Sequence, residues 1–361
     1  MPDTGVNTQR TTPLGRLEQP VTLDPLQYPG WDSVVAAHPG GSFFHLAAWA
    51  RVLQDTYGHR PFYLCRFADG QLEELLPLME VASPWTGRRG VSLPFTDFCP
   101  PLGTRDHPPR MLYESALECG RQRRWRYLEC RSSSYGWLKA PPSLAFYGHR
   151  IDLERGPEAL FQGCDAAARR GVRKAEAAGL KVEFTNRPES VRTFYALHCR
   201  TRQRHGVPPQ PFRFFENIAR HVLGQGLGVV ETVRLQDRPV AAAVFFHSGR
   251  QALYKFGASD YEFQVARPNN LLMWEAIKRY AADGFATLHL GRTSLADAGL
   301  RRFKLGFGAR EERLEYYKYD FPKQAFVADK DRAEGPLNSL FRCLPGLLLR
   351  LAGQALYPHL S

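Results

Sequence analysis

The chain is poor in the features that usually disclose a protein's chemistry. Its seven cysteines (Cys65, Cys99, Cys119, Cys130, Cys164, Cys199, Cys343) are odd in number and scattered. None stands in a CxxC pair or alternates with histidine at metal-ligand spacing, which excludes a disulfide framework and a metal site and points to a reducing compartment. No run approaches the ~20 apolar residues that span a bilayer. The nearest, Leu344 to Leu356, is interrupted by Arg350. The first residues, MPDTGVNTQRTTPLGRLEQP, lack the apolar centre of a secretory signal, so residues 1–25 read as a disordered leader and the protein as cytoplasmic.

What is present is ordinary globular chain with a basic bias. The 361 residues predict about two domains. A 43% hydrophobic share with 23% charged residues excludes disorder, collagen and coiled coil. The net charge of +12 favours anionic partners, whether phosphate, nucleic acid or an acidic membrane surface.

Two α+β halves follow, residues 26–150 and 151–328. In the first, apolar spacing at Leu46, Trp49, Ala50, Leu53 and Tyr57 predicts a helix ended by Gly58, and Asp69-Gly70 predicts a hairpin. A helix around 111–119 and a strand over 125–130 come next. The second half predicts helices over 165–178, 188–205 and 211–223, a hairpin about Gln236-Asp237-Arg238, a further strand ALYKFGAS, and a helix over 269–282 before Gly284. Strand FATLHLG, a short helix at Phe303-Lys304 and strand RLEYYKYDF close it. In each half a meander precedes a helix and a strand, as a diverged tandem duplication would give. Residues 329–361 form a linker and an amphipathic helix, with Pro345 in its first turn and Leu347, Leu348, Leu351 and Ala355 on one face. Packing on the body is its expected role, peripheral membrane contact the alternative.

Two clusters carry candidate chemistry. Asp165 N-caps a helix on which Arg169, Arg170, Arg173 and Lys174 share a basic face, either solvated or a dock for phosphate. The strand ending at Gly291-Arg292, the helix around Asn270 and the segment Gly299 to Gly308 gather glycines and cations, suited to neutralising a phosphate or polarising a carbonyl. Cys99 has no histidine placed beside it to activate it as a nucleophile.

Seven segments then resemble the FemAB-like branch of the GNAT acyltransferases. They are Phe44-His45-x3-Trp49-Ala50-x2-Leu53-x3-Tyr57-Gly58-His59-Arg60-Pro61; Ser92-Leu93-Pro94-Phe95-x-Asp97-Phe98; Arg169-Arg170-Gly-Val-Arg173-Lys174-Ala175; Arg204-His205-Gly206-x-Pro208; Pro268-Asn269-Asn270-Leu271-Leu272-x-Trp274; Leu290-Gly291-Arg292; and Phe303-Lys304-x2-Phe307-Gly308. The likeness is greatest to FemAB-related proteins found with bacterial exosortase (PEP-CTERM) and exopolysaccharide systems, and it runs from about Trp31 to the C-terminus.

The resemblance implies an α+β fold of tandem GNAT-like domains, with mixed, mostly antiparallel sheets flanked by helices. It also implies an N-acyltransferase or aminoacyltransferase that moves a group from acyl-CoA or aminoacyl-tRNA to an amine of a cell-envelope or exopolysaccharide precursor. No permanent cofactor is implied; the acceptor is a small molecule, glycan or peptide precursor, tRNA is one of the two donors, and DNA is not a partner. The cytoplasmic face of the inner membrane is an alternative location. Lys304, Asp97 and Tyr254 become the catalytic candidates: Lys304 inherits a role in offsetting developing negative charge, Asp97 a place on a loop facing the cleft where it or water takes the amine's proton if the amine does not arrive neutral, and Tyr254 a place in the pocket. Arg169, Arg170, Arg173, Lys174, Arg292 and Asn270 become substrate-binding candidates. His289 stands where relatives often carry an acid before Gly-Arg. The Gln/Arg-x-x-Gly-x-Gly/Ala loop of acyl-CoA-specific members has no clean match. A GNAT-like scaffold that binds a polyanionic glycan or RNA without turnover is the competing reading.

Overall fold

The computed structural model describes residues 19–103, 109–132, 138, 140–329, 331 and 338–360. The first half runs β1 (Val21–Leu23), α1 (Trp31–Ala37), α2 (Ala47–Tyr57), β2 (Arg60–Pro61), β3 (Tyr63–Ala68), β4 (Gln71–Leu76), β5 (Met79–Ser83), β6 (Gly87–Val91), α3 (Arg110–Gln122), β7 (Tyr127–Ser132) and β8 (Leu144–Asp152). The second continues with α4 (Pro157–Gly163), α5 (Ala166–Ala177), β9 (Leu180–Thr185), α6 (Pro188–His205), α7 (Phe212–His221), β10 (Gly228–Leu235), β11 (Arg238–Ser248), β12 (Gln251–Ser259), α8 (Pro268–Ala282), β13 (Thr287–Ser294), α9 (Ala298–Gly306), β14 (Arg310–Asp320) and β15 (Ala325–Phe326). Helices α10 (Asn338–Cys343) and α11 (Gly346–Leu356) end the chain.

Local chemistry accounts for many of these boundaries. Gly58 closes α2 with a left-handed φ of 72°. Asp69 and Gly70, both at positive φ, turn β3 into β4. The Asp165 carboxylate accepts the Ala168 N–H at 2.6 Å and so caps α5. Residues 1–18 of the expected leader lie outside the described residues, and within its remainder Val21–Leu23 pairs antiparallel with β3.

The main sheet runs β2-β5-β6-β7-β14-β8-β13-β12-β11-β10-β9, with β15 on β14. Each half builds an antiparallel meander, crosses over through a helix (α3 or α8) and adds a parallel strand, β7 beside β6 and β13 beside β12. The next strand of each half is then exchanged. β8 follows β7 in the chain but lies against β13, and β14 follows β13 but lies against β7, with β8 and β14 antiparallel to each other at the centre. The boundary expected between residues 150 and 151 therefore falls inside β8, a strand built into the other half's ladder.

Helices cover both faces of the second half's sheet. Trp49, Phe214, Phe215 and Phe246 belong to one buried cluster, and Phe245, Trp274, Ile277 and Tyr280 to another across the sheet. Among the latter lies Glu231 of β10, fully buried, with neither carboxylate oxygen partnered among the described residues. Burial pushes its pKa well above the ordinary carboxyl value and the charge of Glu275 adds to this, against a smaller pull from Arg279. The folded state thus keeps a proton that the unfolded chain releases near pH 4.5, so this residue's contribution to stability falls as pH rises above that value. Glu231→Gln is expected to raise the melting temperature more at pH 8 than at pH 5. Melting scans at both values check it, and an equal effect at the two would refute the buried-acid account.

The C-terminal helix forms, but with its faces exchanged. Leu349, Gly353 and Tyr357 meet the body, because the missing side chain at Gly353 lets α11 approach Pro209, where an added Cβ would collide with the Pro209 carbonyl oxygen. Tyr357 Oη donates to Pro208 O at 3.2 Å and accepts from Arg202. Leu347, Leu348 and Leu351, expected to pack, point away. No helix of the described residues is long and apolar enough to cross a membrane.

Candidate functional site

The ladder between β12 and β13 runs from Gln251 opposite Thr287 to Leu253 opposite His289 and stops there, although both strands continue. Both strands carry an irregularity just beyond that point. On β12 the register against β11 shifts between Phe245–Tyr254 and Val244–Phe256, so Lys255 is the extra, bulged residue. On β13 it shifts between His289 and Arg292, where Gly291 takes a φ of 69°. Glycine suits this position by its conformation, and a Cβ there would also press on Tyr254 O at 3.3 Å while meeting the Asp97 carboxylate at ordinary contact distance, 3.5 Å.

Bulges re-aim side chains. Lys255 Nζ reaches Asp97 Oδ2 at 3.0 Å, over the rings of Phe44 and Phe256. Asp97 arrives on the loop after β6, which reverses through positive φ at Leu93 and Phe95. In the first half this loop binds back at the corresponding place between β6 and β7. Ser92 N–H donates to Glu129 O and Cys99 N–H to Arg131 O. The Arg131 guanidinium, paired with Glu129, donates to Leu93 O and Thr96 O. Tyr316 Oη on β14 donates to Asp97 O at 2.6 Å and accepts from Arg292 Nη1 at 2.9 Å. Arg292 Nε stands 3.9 Å from Asp97 Oδ1.

Burial alone would raise the Asp97 pKa, but Lys255, Arg292 and Lys304 outweigh it and hold it below the usual carboxylate range. Lys304, on α9, is 3% exposed. Its Nζ donates to Gly291 O at 3.2 Å and Arg292 O at 3.0 Å, which uses two of its three N–H donors at the β13 bulge. Burial lowers its pKa to about 8, against upward pulls from Asp97 and Asp297. His289 is spoken for at both nitrogens: Nδ1 accepts the Gly291 N–H at 2.9 Å, and Nε2 faces Glu312 Oε1 at 3.1 Å. His149 is fully buried nearby, its pKa lowered to about 4 by burial and then by the Lys304 charge.

Behind α9 opens a cavity of about 510 Å³. Arg170 and Lys174 of α5, Arg267 and Asn270 at the start of α8, and Arg302 of α9 line it, with Asp165 the one acid among its lining residues. Gly171 permits the close crossing of α5 and α8, since a Cβ there would lie 2.6 Å from the Asn270 side chain. Four cations beside the N-terminus of α8 make the cavity suited to a phosphate-bearing ligand. Among the described residues no group of three His, Cys, Asp or Glu is placed to hold a metal ion.

The structure brings Lys304, Asp97 and Arg292 together at the bulges, and Arg170, Lys174 and Asn270 together in the cavity. Three candidates lie elsewhere. Arg169 donates to Gln162 O and Cys164 O at the end of α4. Arg173 sits 5.9 Å over the Phe161 ring. Tyr254 turns to the α8 side of the sheet, 5.4 Å from Phe245 and against Gly257, away from Asp97. Cys99 is fully buried and its thiol pKa is pushed up by burial, which excludes a nucleophile. Sequence reasoning missed Lys255, Tyr316 and Arg267. The available signal for Lys255 was a charge inside an otherwise apolar strand, LYKFGA.

Residues 164–318 match the family model of the acetyltransferase (GNAT) domain, so the second half carries an N-acyltransferase domain. Among solved structures, FemX is 16% identical, with a TM-score of 0.66 over 85% of this chain and 98% of that one. The C-terminal domain of a putative lysylphosphatidylglycerol synthetase from Agrobacterium fabrum is 14% identical, with a TM-score of 0.55 over 84% and 92%. A tandem GNAT protein from the clavulanic acid biosynthesis pathway is 12% identical, with a TM-score of 0.53 over 88% and 100%. These likenesses show the tandem GNAT fold. No curated protein sequence matches the chain.

Proposed function

We propose that this protein transfers an acyl or aminoacyl group from a phosphate-bearing donor, acyl-CoA or aminoacyl-tRNA, to an amine of a cell-envelope or exopolysaccharide precursor. The observation that carries the reading is the shared use of α9: Arg302 faces the cationic cavity, while Lys304 reaches the point where β12 and β13 part. The donor's phosphates would occupy the cavity and its carbonyl would lie at the bulges. Attack by the amine on that carbonyl forms a tetrahedral oxyanion, which the Lys304 ammonium offsets before the thiol or ribose hydroxyl leaves. Asp97, held ionised by Lys255 and Arg292, positions these cations rather than taking the amine's proton, so the amine enters neutral or loses its proton to water.

Incubating the protein with each donor class and an extract of acceptors, then reading new amides by mass spectrometry, tests this. No product from either donor, with retained binding of RNA or anionic glycan, would favour the scaffold reading. In the cavity, Arg170→Glu with Lys174→Glu is expected to raise the donor KM by about tenfold or more, since each charge-assisted contact is worth roughly 1.5–3 kcal/mol. Arg173→Glu, outside it, should leave KM near the wild-type value. Equal effects from the two would remove the cavity from donor binding.

A further inference from the structure

We propose that α10 and α11 dock the protein on an anionic lipid bilayer. Helix α11 presents apolar residues on both sides. One side is satisfied by the body, and on the other Leu347, Leu348 and Leu351 are 60%, 49% and 51% exposed, joined by Leu340 of α10 at 59%. Large leucines crowded this way on short consecutive helices are unlike the scattered apolar residues of an ordinary surface.

The charge around them selects the occupant. Residues 338–360 contain no aspartate or glutamate, and Arg342 and Arg350 are both exposed between the leucines. Apolar side chains flanked by arginines, on a chain of net charge +12, are the arrangement that sinks into the headgroup boundary of anionic lipid.

The surroundings continue the face. Gly206, at the end of α6, lies against Asn338, and His205 beside it feels the charges of both Arg342 and Asp297, the residue that caps α9. Next to it the Arg204 guanidinium lies 5.0 Å over the ring of Tyr261. Tyr261 is 70% exposed and Val265 75%, on the segment that leads into Arg267 of the cavity. The contacts thus lead from α10 through the end of α6 to the segment before Arg267, and on the transferase reading docking here would hold the site near the membrane surface.

Co-sedimentation of the full chain with phosphatidylcholine vesicles, with and without 30% phosphatidylglycerol, tests this independently of turnover. Binding is expected to be about tenfold or more stronger with the anionic lipid, two arginines being worth roughly a factor of ten or more at such a surface. Leu347→Ser with Leu351→Ser should abolish it while the melting temperature is kept. Arg342→Glu with Arg350→Glu, which leaves the leucines in place, should remove the preference for anionic lipid. Lys304→Met should bind as wild type, so failure of the transferase reading would not touch this result. Absence of vesicle binding would overturn the proposal, as would equal binding by the serine variant. A dimer in light scattering that the serine variant dissolves, without vesicle binding, would assign the face to a second copy instead.

Discussion

Lys304→Met is expected to lose about 10²–10³ in turnover, the usual effect of removing one donor to a developing oxyanion, while remaining folded. The folded pKa of Lys304 lies near 8, below its ordinary 10.5. The folded state then binds fewer protons than the unfolded chain between those values, so this residue's contribution to wild-type stability improves as pH rises from 8 towards 10.5. Methionine carries no such charge, and the variant should melt at or above the wild-type temperature at pH 7, with the gap narrowing in alkaline buffer. If the ammonium is the active form, wild-type turnover falls as pH passes about 8, and Lys304→Arg holds its own rate beyond that point. A rate that climbs through pH 8 with Lys304 and not with arginine would make the lysine a base, and an unchanged rate in Lys304→Met would remove it from the mechanism.

The second large effect is on stability. Asp97→Leu leaves Lys255, 5% exposed at its side chain, beside Arg292 without its counter-charge. Breaking one side of a buried ion pair typically costs about 3–5 kcal/mol. Lys255→Met should cost less, because Arg292 still faces the Asp97 carboxylate at 3.9 Å. The double variant Asp97→Leu/Lys255→Met should recover much of the Asp97→Leu loss, because the buried ammonium goes with its partner and only the part-exposed Arg292 loses a counter-charge. Urea unfolding of the four proteins gives the coupling, and additive single effects would show that the pair does not hold the loop after β6. The same cycle warns against reading lost activity in an Asp97 variant as loss of a base.

Much of the fold was legible because its causes are local. Asp69-Gly70, Gly58, and Asp165 with its basic helix each act within a few residues, and each stands where those residues predict. The site was legible only as far as its motifs reach. Alternation along β12 cannot tell which way Tyr254 and Lys255 point, because a bulge between them resets the period, and the bulge is set by the pairing partner rather than by the strand's own sequence. The destination of Asp97 depends on two left-handed non-glycine residues, Leu93 and Phe95, that nothing nearby announces. The basic helix shows the same limit: four cations share one stretch, yet Arg169 and Arg173 are taken by α4 while Arg170 and Lys174 line the cavity.

The exchange of β8 and β14 also sets a clock on synthesis. β7 pairs through Tyr127 with Asp320 and through Ser132 with Glu315, so its outer edge has no partner until nearly the whole chain has left the ribosome. At ~5–20 residues per second that wait is roughly 10–40 s, during which a half-built sheet presents open backbone groups to any other chain. Neither half can be made as a separate product with its sheet complete, and truncation before β14 would leave a strand edge prone to aggregate rather than a smaller working domain.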